Sequence, residues 1–248
     1  AQEARGCRWV QAAIERAGRA EGVALAAELH GHVASAARSP HANHVLQRCI
    51  VTMAPEDCQF IVDEVEEAGV DHVAKNKYGC RILQRLLERC PRQQVRGMLE
   101  AIIRDMPSFC VHPYANYIVQ TILRHGSSGD RQRIVSVTLG EAEELCRAPH
   151  GCIVVLVAFE TLHPDLQDAL AKRLARKQGL LVNMACSKQG AALVQRLIHS
   201  LHERDRCQAL SDFTAAAGTL GASEHGRRIL EELGIPATRS AVGLSVGL

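Results

Sequence analysis

Residues 77–90 read KYGCRILQRLLERC, and the cluster CRILQ at positions 80–84 decides the fold because it recurs along the chain. Counterparts of this cluster begin at Cys7, Asn43, Asn116, Cys152, Ala191 and Arg227. The intervals between first residues are 36, 37, 36, 36, 39 and 36 residues. A fixed period in this range is typical of a solenoid, in which each repeat buries its apolar face only against its neighbours.

The segments between the clusters have the apolar spacing of helices. In residues 55–69, PEDCQFIVDEVEEAG, apolar residues recur at intervals of about three and four, between an initial proline and a final glycine. Comparable segments begin at Pro91 and Pro164. Each repeat is therefore predicted to contain a first helix, a short connector and a second helix that carries the cluster. No alternation typical of strands recurs, so the sequence predicts an all-α fold.

A small residue precedes the clusters. Glycine stands before the clusters at 80, 152, 191 and 227, and Ala115 stands before the cluster at 116. We expect the backbone or a ligand to approach closely at this position, because a small residue leaves room for it. The longer interval before Ala191 predicts an insertion in the connector around Gln178 and Gly179.

The repeat period extends over nearly the whole chain, which predicts one elongated domain at residues 1–234. Helical periodicity is lost after Leu233, so residues 235–248 are predicted to be a C-terminal tail. The chain begins inside a repeat, with no first helix before Cys7. This start predicts a fragment of a longer protein with further repeats upstream.

Composition and charge bear on the class of protein. At 248 residues, with an apolar fraction of 47%, the chain is long enough for a large core. It lacks an uninterrupted apolar run of about 18 residues, and its first residues lack the order of a signal peptide. An intracellular protein without a membrane span is therefore expected. The formal net charge of +2 neither indicates nor excludes a nucleic-acid partner, because a solenoid can have one basic and one acidic face.

Cysteine and histidine are numerous but lack the spacing of metal sites. Among the ten cysteines the closest pair, Cys146 and Cys152, is six residues apart, so no CxxC pair occurs. The twelve histidines contain no HExxH spacing. Residues 243–247, GLSVG, match GxSxG only formally, because one residue follows them and supplies no helix behind the serine. We therefore predict no metal, no cofactor and no catalytic activity.

The cluster residues have the chemistry needed to recognise a nucleotide base. Residues i and i+4 lie on one face of a helix, so Asn43 and Gln47 present two amides that match the alternating edge of uracil. Residue i+1 lies beside that face, where His44 or Arg81 can stack on the base plane. Where Cys80 replaces Asn, there is room for a purine. Single-stranded RNA is the predicted partner, because its bases can be splayed out between repeats.

At these residues the sequence resembles the Pumilio (PUF) family of RNA-binding proteins. Second helices of that family carry Asn-Tyr/His-x-x-Gln for uracil and Cys/Ser-Arg-x-x-Gln for adenine, and residues 77–90 and 112–126 are especially similar to its pattern. The resemblance implies a right-handed α-solenoid of about seven repeats that form an arc. It also implies RNA bound antiparallel to the chain, with the core 5′-UAUA-3′ opposite the clusters at 116, 80, 43 and 7.

The resemblance assigns roles to individual residues. The residues expected to contact base edges are Cys7, Gln11, Asn43, Gln47, Cys80, Gln84, Asn116 and Gln120. The residues expected to stack on bases are Arg8, His44, Arg81 and Tyr117. Weaker candidates for RNA contact are Cys152, Gln195, Arg228, Glu231 and, near phosphates, Arg48 and Arg85.

The C-terminal clusters depart from the family's pattern. Leu156 and Ile153 replace the edge-reading Gln and the stacking residue of the Cys152 cluster. The Ala191 cluster keeps only its Gln, and in the last cluster Arg227 and Glu231 are expected to pair along their own helix. The basic run at residues 172–177 is expected to be a solvated outer helix face.

The implied function is sequence-specific binding of single-stranded RNA in messenger RNA 3′ untranslated regions, in post-transcriptional regulation of translation or stability. A monomer in the cytoplasm is expected, with nucleus or nucleolus as further locations, and with effector proteins on the outer face. Two alternatives stay open. One is the nucleolar branch of the superfamily, which acts in ribosomal RNA processing, and the other is a protein-binding helical scaffold without RNA specificity.

Overall fold

The computed structural model describes residues 3–237, apart from the side chain of Ala4. These residues form nineteen α-helices and one 3₁₀-helix with no strand among them, which confirms the predicted all-α fold. They divide into two compact units, one up to Val137 and one from Thr138. The single array at 1–234 stays a prediction. The tail beyond residue 237, with the GLSVG stretch, lies outside the described residues.

Each unit consists of short helices. Up to Val137 they are α1 (Ala4–Arg16), α2 (Arg19–Ala27), α3 (Val33–Arg38), α4 (Asn43–Thr52), α5 (Gln59–Glu67) after the 3₁₀-helix Pro55–Cys58, α6 (Val70–Ala74), α7 (Gly79–Arg89), α8 (Arg96–Arg104), α9 (Met106–Val111), α10 (Asn116–His125) and most of α11 (Ser128–Gly140). From there they are α12 (Ala142–Leu145), α13 (Pro149–Phe159), α14 (Pro164–Ala175), α15 (Leu180–Ala185), α16 (Lys188–Ser200), α17 (Glu203–Ala215), α18 (Ala217–Gly221) and α19 (Glu224–Glu232).

The predicted connector of each repeat is a short middle helix, so the prediction of two helices per repeat was incomplete. These middle helices are α3, α6, α9, α12, α15 and α18. Each spans only four to six residues, too few for a helical period to be visible in the sequence. They are fixed by burial of their apolar residues, as Val70, Val73 and Ala74 of α6 illustrate.

The helices that carry the clusters pack side by side in successive repeats. In the first unit α1 contacts α4, α4 contacts α7 and α7 contacts α10, and in the second unit α13 contacts α16 and α16 contacts α19. Residues i+2 and i+3 of the clusters from Asn43 onward form this core, and Ile82, Leu83, Ile118 and Val119 are completely buried, whereas Trp9 of the first cluster is exposed. Since those positions face inward, residues i+1 and i+4 flank an outward-facing surface.

The small residue before most clusters allows the middle helix to approach. A Cβ atom built at Gly79, Gly151, Gly190 or Gly226 would lie closer than 3.0 Å to a backbone carbonyl oxygen near the end of the preceding middle helix. The expectation of a close approach is therefore confirmed, and the group that approaches is backbone. At the longer interval, residues 176–179 join α14 to α15, and Gly179 has a φ of 71°, which favours glycine.

A polar residue four positions before the cluster caps most cluster helices. Asn76 Oδ1 accepts hydrogen bonds from the backbone N–H groups of Tyr78 and Gly79, at 2.8 and 3.1 Å. The equivalent acceptors are Ser39, His112 through Nδ1, Ser187 and Ser223. These bonds satisfy N–H groups that a helix start leaves without partners. Ala148 occupies the equivalent position before α13, where Pro149 at the first turn removes one donor.

A buried carboxylate joins two repeats of the first unit. Arg92 Nε and Nη2 donate to the two carboxylate oxygens of Asp130, at 2.7 and 2.8 Å, and the Ser127 hydroxyl donates to the same carboxylate. Asp130 is almost completely buried, whereas half of the Arg92 side chain is exposed. The hydrogen bonds from Arg92, and then from Ser127, lower the pKa of Asp130 below its ordinary value of 3.8.

Asp130→Asn is expected to lower the free energy of unfolding by roughly 1–2 kcal/mol at neutral pH, because it removes charge-assisted hydrogen bonds. A folded-state pKa below the unfolded value means that this stabilisation is present above the unfolded pKa. It is lost as the pH falls through the folded pKa. Urea denaturation at pH 7 and near pH 3 measures both effects. A difference between wild type and variant that is as large in acid as at pH 7 would contradict the assignment.

Candidate nucleic-acid interface

The predicted stacking residues lie exposed on the cluster helices of the first unit. Tyr117 on α10 is 50% exposed, and Arg8, His44 and Arg81 are also exposed on α1, α4 and α7. On α4, α7 and α10 this exposure follows from the burial of residues i+2 and i+3, which turns position i+1 away from the core. An aromatic ring, an imidazole or a guanidinium in this position can lie flat against a base.

In the two Asn clusters the Gln amide is tied to the Asn amide. Gln47 Nε2 donates to Asn43 Oδ1, and Gln120 Nε2 donates to Asn116 Oδ1, at 2.8 Å in both cases. Each Asn Nδ2 donates in turn to a backbone carbonyl four residues earlier, at 2.6 Å from Ser39 and 2.7 Å from His112. Both Asn side chains are buried, so each orients its Gln amide from the protein interior.

The Gln side chains of the two Asn clusters differ in exposure. Gln47 is partly exposed, whereas Gln120 is buried and its Oε1 accepts a hydrogen bond from Arg124 Nη2 at 3.2 Å. Contact between Gln120 and a base therefore requires Arg124 to move aside. The spacing of four residues between Gln120 and Arg124 on one helix is the sequence signal for this contact.

In the two Cys clusters the thiol points into the protein. Cys7 Sγ donates to the His41 carbonyl at 2.6 Å, and Cys80 Sγ donates to the Lys77 carbonyl at 3.4 Å. Burial raises the pKa of the Cys80 thiol, which stays protonated and uncharged at neutral pH. The amides beside them are held differently: Gln11 Nε2 donates to the Cys7 carbonyl at 3.2 Å, and Gln84 Nε2 donates to Thr121 Oγ1 at 3.1 Å.

A cleft of about 430 Å³ joins three successive clusters of the first unit. It is lined by Gln47, Lys77, Cys80, Arg81, Gln84, Arg85, Glu88, Tyr114 and Tyr117. The cleft thus brings together two edge-reading amides, a flat guanidinium and an aromatic ring. Its volume falls within the range of roughly 300–1,000 Å³ that is common for ligand-binding clefts.

The pattern of the Pumilio-family RNA binding repeat matches residues 32–66, 70–103 and 106–137, which contain this cleft. Pumilio homolog 9 of Arabidopsis thaliana is 30% identical over 183 residues, which are 72% of this chain and 32% of that protein. The chain belongs to the Pumilio family. A Pumilio domain-containing protein of Schizosaccharomyces pombe is 26% identical over 191 residues, 77% of this chain and 28% of that protein. The chain spans about a third of these relatives' length.

Solved structures of Pumilio proteins share the fold. PUF-8 in complex with PBE-RNA superposes with a TM-score of 0.75 and 23% identity, over 92% of this chain and 68% of that one. A Puf4 mutant bound to a recognition sequence from the Cox17 RNA 3′ UTR gives a TM-score of 0.75 and 22% identity, over 94% of this chain and 80% of that one. These similarities confirm the predicted Pumilio-type α-solenoid.

The two arginines that were predicted to contact RNA phosphates form ion pairs with glutamates. Arg48 Nη1 lies 2.7 Å from Glu15 Oε1 of the preceding repeat, and Arg85 Nη1 lies 2.6 Å from Glu88 Oε2. Both arginines keep partly exposed side chains, and Arg85 also lines the cleft. Contact with phosphates stays a prediction for both, and it requires these pairs to open.

The residues of the second unit that were predicted as weaker candidates for RNA contact differ in exposure and in hydrogen bonding. Cys152 is completely buried and donates to the Cys146 carbonyl at 3.3 Å, and Gln195 Nε2 donates to Glu232. Arg228 and Glu231 are exposed. The expected pairing of Arg227 with Glu231 was wrong, because Arg227 Nη1 donates instead to the Gly221 carbonyl at 2.9 Å.

The basic run of the second unit is paired with acidic residues of its own helix, α14, and of the neighbouring helices α12 and α17. Lys172 lies 2.6 Å from Asp168, Arg176 lies 3.1 Å from Asp205, and both Arg173 and Lys177 contact Glu143, at 3.6 and 3.0 Å. These are ordinary exposed or half-exposed ion pairs, each of small energetic weight. They support the interpretation of this run as a solvated helix face.

The cysteines of the described residues form no disulfide. All ten carry free thiols, and burial raises the pKa of Cys49 to about 11 and of Cys110 to about 12. Within residues 3–237 no group of three or more His, Cys, Asp or Glu side chains is placed to hold a metal ion. None of the helices in that range combines the length and apolarity needed to cross a membrane.

Proposed function

We propose that this chain binds single-stranded RNA sequence-specifically, one base per repeat, with the core 5′-UAUA-3′ opposite the clusters at 116, 80, 43 and 7. The observation that carries the proposal is the cleft of the first unit. There Gln47 and Gln84 offer amide edges while Arg81 and Tyr117 offer flat faces within the same space. Edges that hydrogen-bond and faces that stack are the two elements of base recognition on splayed RNA.

The free energy expected from base stacking is large enough for measurable RNA binding. Stacking contributes roughly 1–3 kcal/mol per base. Three exposed flat side chains in successive repeats, His44, Arg81 and Tyr117, therefore supply several kcal/mol before the cost of ordering the RNA is subtracted. Hydrogen bonds to the Gln side chains then discriminate between bases whose stacking is similar.

The similar proteins support this proposal and extend it. Solved Pumilio structures contain PBE-RNA or recognition sequences from the 3′ UTR of Cox17 RNA. We propose the same class of target here, namely messenger RNA 3′ untranslated regions, and a role in the control of translation or stability. Recruitment of effector proteins to the outer face, a cytoplasmic location and a monomeric state belong to the same proposal.

A second candidate is a nucleolar role in ribosomal RNA processing. The observation in its favour is the degeneracy of the second unit, where Leu156 stands at an edge position and Gln195 is engaged by Glu232. The match to the Pumilio repeat likewise ends at residue 137. Such a protein would bind RNA through few specific contacts, so weak preference between sequences would favour this candidate.

The decisive experiment is a fluorescence-anisotropy titration with a labelled ten-nucleotide RNA that contains UAUA, against the same RNA with CCCC in its place. We expect at least about tenfold preference for UAUA, since each mismatched contact weakens binding by a factor of several. The double variant Gln47→Ala/Gln84→Ala should lose most of that preference. Gln132→Ala, an exposed Gln on α11, is the matched control.

Affinity should also fall steeply between 50 and 200 mM salt, as expected where cations contact phosphates. Weak binding that is equal for both RNAs would contradict sequence-specific recognition by this chain. Absence of binding, with the folded state intact by circular dichroism, would favour the protein-binding scaffold instead.

A further inference from the structure

The amide of Gln84 is held by the next repeat, unlike the other edge-reading amides of the first unit. Its Nε2 lies 3.1 Å from Thr121 Oγ1 and 3.5 Å from the Tyr117 carbonyl, both on α10. Thr121 is buried, with 4% exposure, so its hydroxyl is a fixed partner. In contrast, Gln11, Gln47 and Gln120 donate to residues of their own helices.

The hydrogen bonds around Thr121 determine which end of the Gln84 amide faces the cleft. The Thr121 hydroxyl donates to the Tyr117 carbonyl at 2.9 Å, so only its lone pairs remain for Gln84. The Tyr117 carbonyl can only accept as well. Gln84 must therefore turn its NH₂ group toward α10, and Oε1 is left toward the cleft. Among the described residues, none donates a hydrogen bond to this Oε1.

The position of Thr121 is occupied by other residue types in the neighbouring repeats. Thr121 is residue i+5 of its cluster, and the equivalent residues are Arg48 and Arg85. An arginine has no acceptor, so it cannot hold a Gln NH₂ group in this way. Within the first unit this fixed orientation is thus specific to the cleft between α7 and α10, and in the second unit Glu232, the equivalent residue, holds Gln195 Nε2.

We propose that Thr121 is a specificity-determining residue for the base that contacts the preceding repeat. By engaging Gln84 Nε2, it makes Gln84 an acceptor toward the base, which selects bases with an exocyclic amine and rejects uracil. Adenine, cytosine and guanine each offer an amine donor. Uracil instead has two carbonyl oxygens beside its single N–H, and a fixed acceptor is repelled by them. This inference rests on the proposed RNA-binding function.

The test varies the base opposite the cluster at residues 80–84, the second base of the UAUA core, in four RNAs. The wild type should bind UAUA and UCUA about tenfold more tightly than UUUA, the scale of one lost hydrogen bond beside one repulsive contact. Thr121→Val keeps the shape but removes the hydroxyl, and should reduce this ratio to below about threefold. Thr121→Ser keeps the hydroxyl and should keep the ratio.

Two controls separate this inference from the proposed function. The third base, opposite the cluster at 43, should be discriminated equally by wild type and Thr121→Val. Thermal unfolding of both proteins shows whether the variant is folded. If Thr121→Val binds UAUA RNA with the wild-type ratio against UUUA, the role of Thr121 is refuted while the proposed function stands. If the wild type fails to distinguish the four RNAs but discriminates at the third base, only the inference fails; if it discriminates at neither base, the proposed function fails as well.

Nuclear magnetic resonance tests the hydrogen bond without RNA and without reliance on the variant's folding. The side-chain NH₂ signal of Gln84, assigned by its loss in Gln84→Ala, should exchange with solvent at least about tenfold more slowly than that of exposed Gln132, because a hydrogen-bonded amide exchanges only on opening. Equal exchange rates would overturn the inference. Slow exchange together with the loss of discrimination in Thr121→Val would establish it.

Discussion

Tyr117→Ala is expected to weaken binding of UAUA-containing RNA by about 5- to 150-fold, which corresponds to the roughly 1–3 kcal/mol that base–aromatic stacking contributes. Half of this side chain is exposed, and it lines the cleft. The Tyr117 carbonyl accepts the hydrogen bonds from Thr121 and Gln84, and alanine retains that carbonyl. The change therefore removes the stacking surface and leaves the edge-reading groups in place.

Tyr117→Phe is the matched control for this prediction, because it keeps the ring and removes only the hydroxyl. We expect its affinity to stay within about twofold of the wild type, since stacking requires only the π face. Anisotropy titrations of both variants at one fixed salt concentration make the comparison. An alanine variant that binds as tightly as the phenylalanine variant would exclude stacking at position i+1 of this repeat.

Much of the fold could be predicted from the sequence because the same residue pattern recurs in successive repeats. Glycine or alanine before most clusters, a Gln at i+4 and apolar residues at i+2 and i+3 occur often enough to define one helix and its inward face. Burial of Ile82, Leu83, Ile118 and Val119 agrees with that pattern. The middle helices were missed because a helix of four to six residues spans little more than one turn, and its periodicity is not visible.

The orientation of the site residues was less accessible, because it depends on contacts between repeats. The spacing of Asn43 and Gln47 places both amides on one face but does not reveal that Asn43 is buried and supports Gln47. Similarly, the bond from Gln84 to Thr121 joins residues 37 positions apart. One signal was present and not used: a side-chain acceptor stands four residues before five of the clusters, with Asn76 as an example.

The largest effect on stability is expected from Gly151→Ala, which should lower the free energy of unfolding by about 1–3 kcal/mol or more. A Cβ at Gly151 would overlap the backbone carbonyl of Leu145 in α12, and backbone cannot rotate away as a flexible side chain can. The accommodation of alanine elsewhere supports this reasoning. Ala42 and Ala115 occupy the position equivalent to Gly151 in their repeats. There the cluster helix begins only at the following Asn, so the alanine lies outside the helix. Gly151 lies inside its helix, because α13 already begins at Pro149.

Gly129→Ala is the matched control for Gly151→Ala, since nothing lies within 4 Å of a Cβ built there and the residue is exposed within α11. Alanine is the better helix former, so this variant is expected to be neutral or more stable by roughly 0.5–1 kcal/mol. Urea denaturation of both variants measures the difference. The same substitution would thus have opposite effects at two helical glycines, because one glycine is required by the approach of a carbonyl and the other is not. Equal effects at both positions would mean that α12 moves aside without cost, and that the glycine before this cluster does not set the packing of the middle helix.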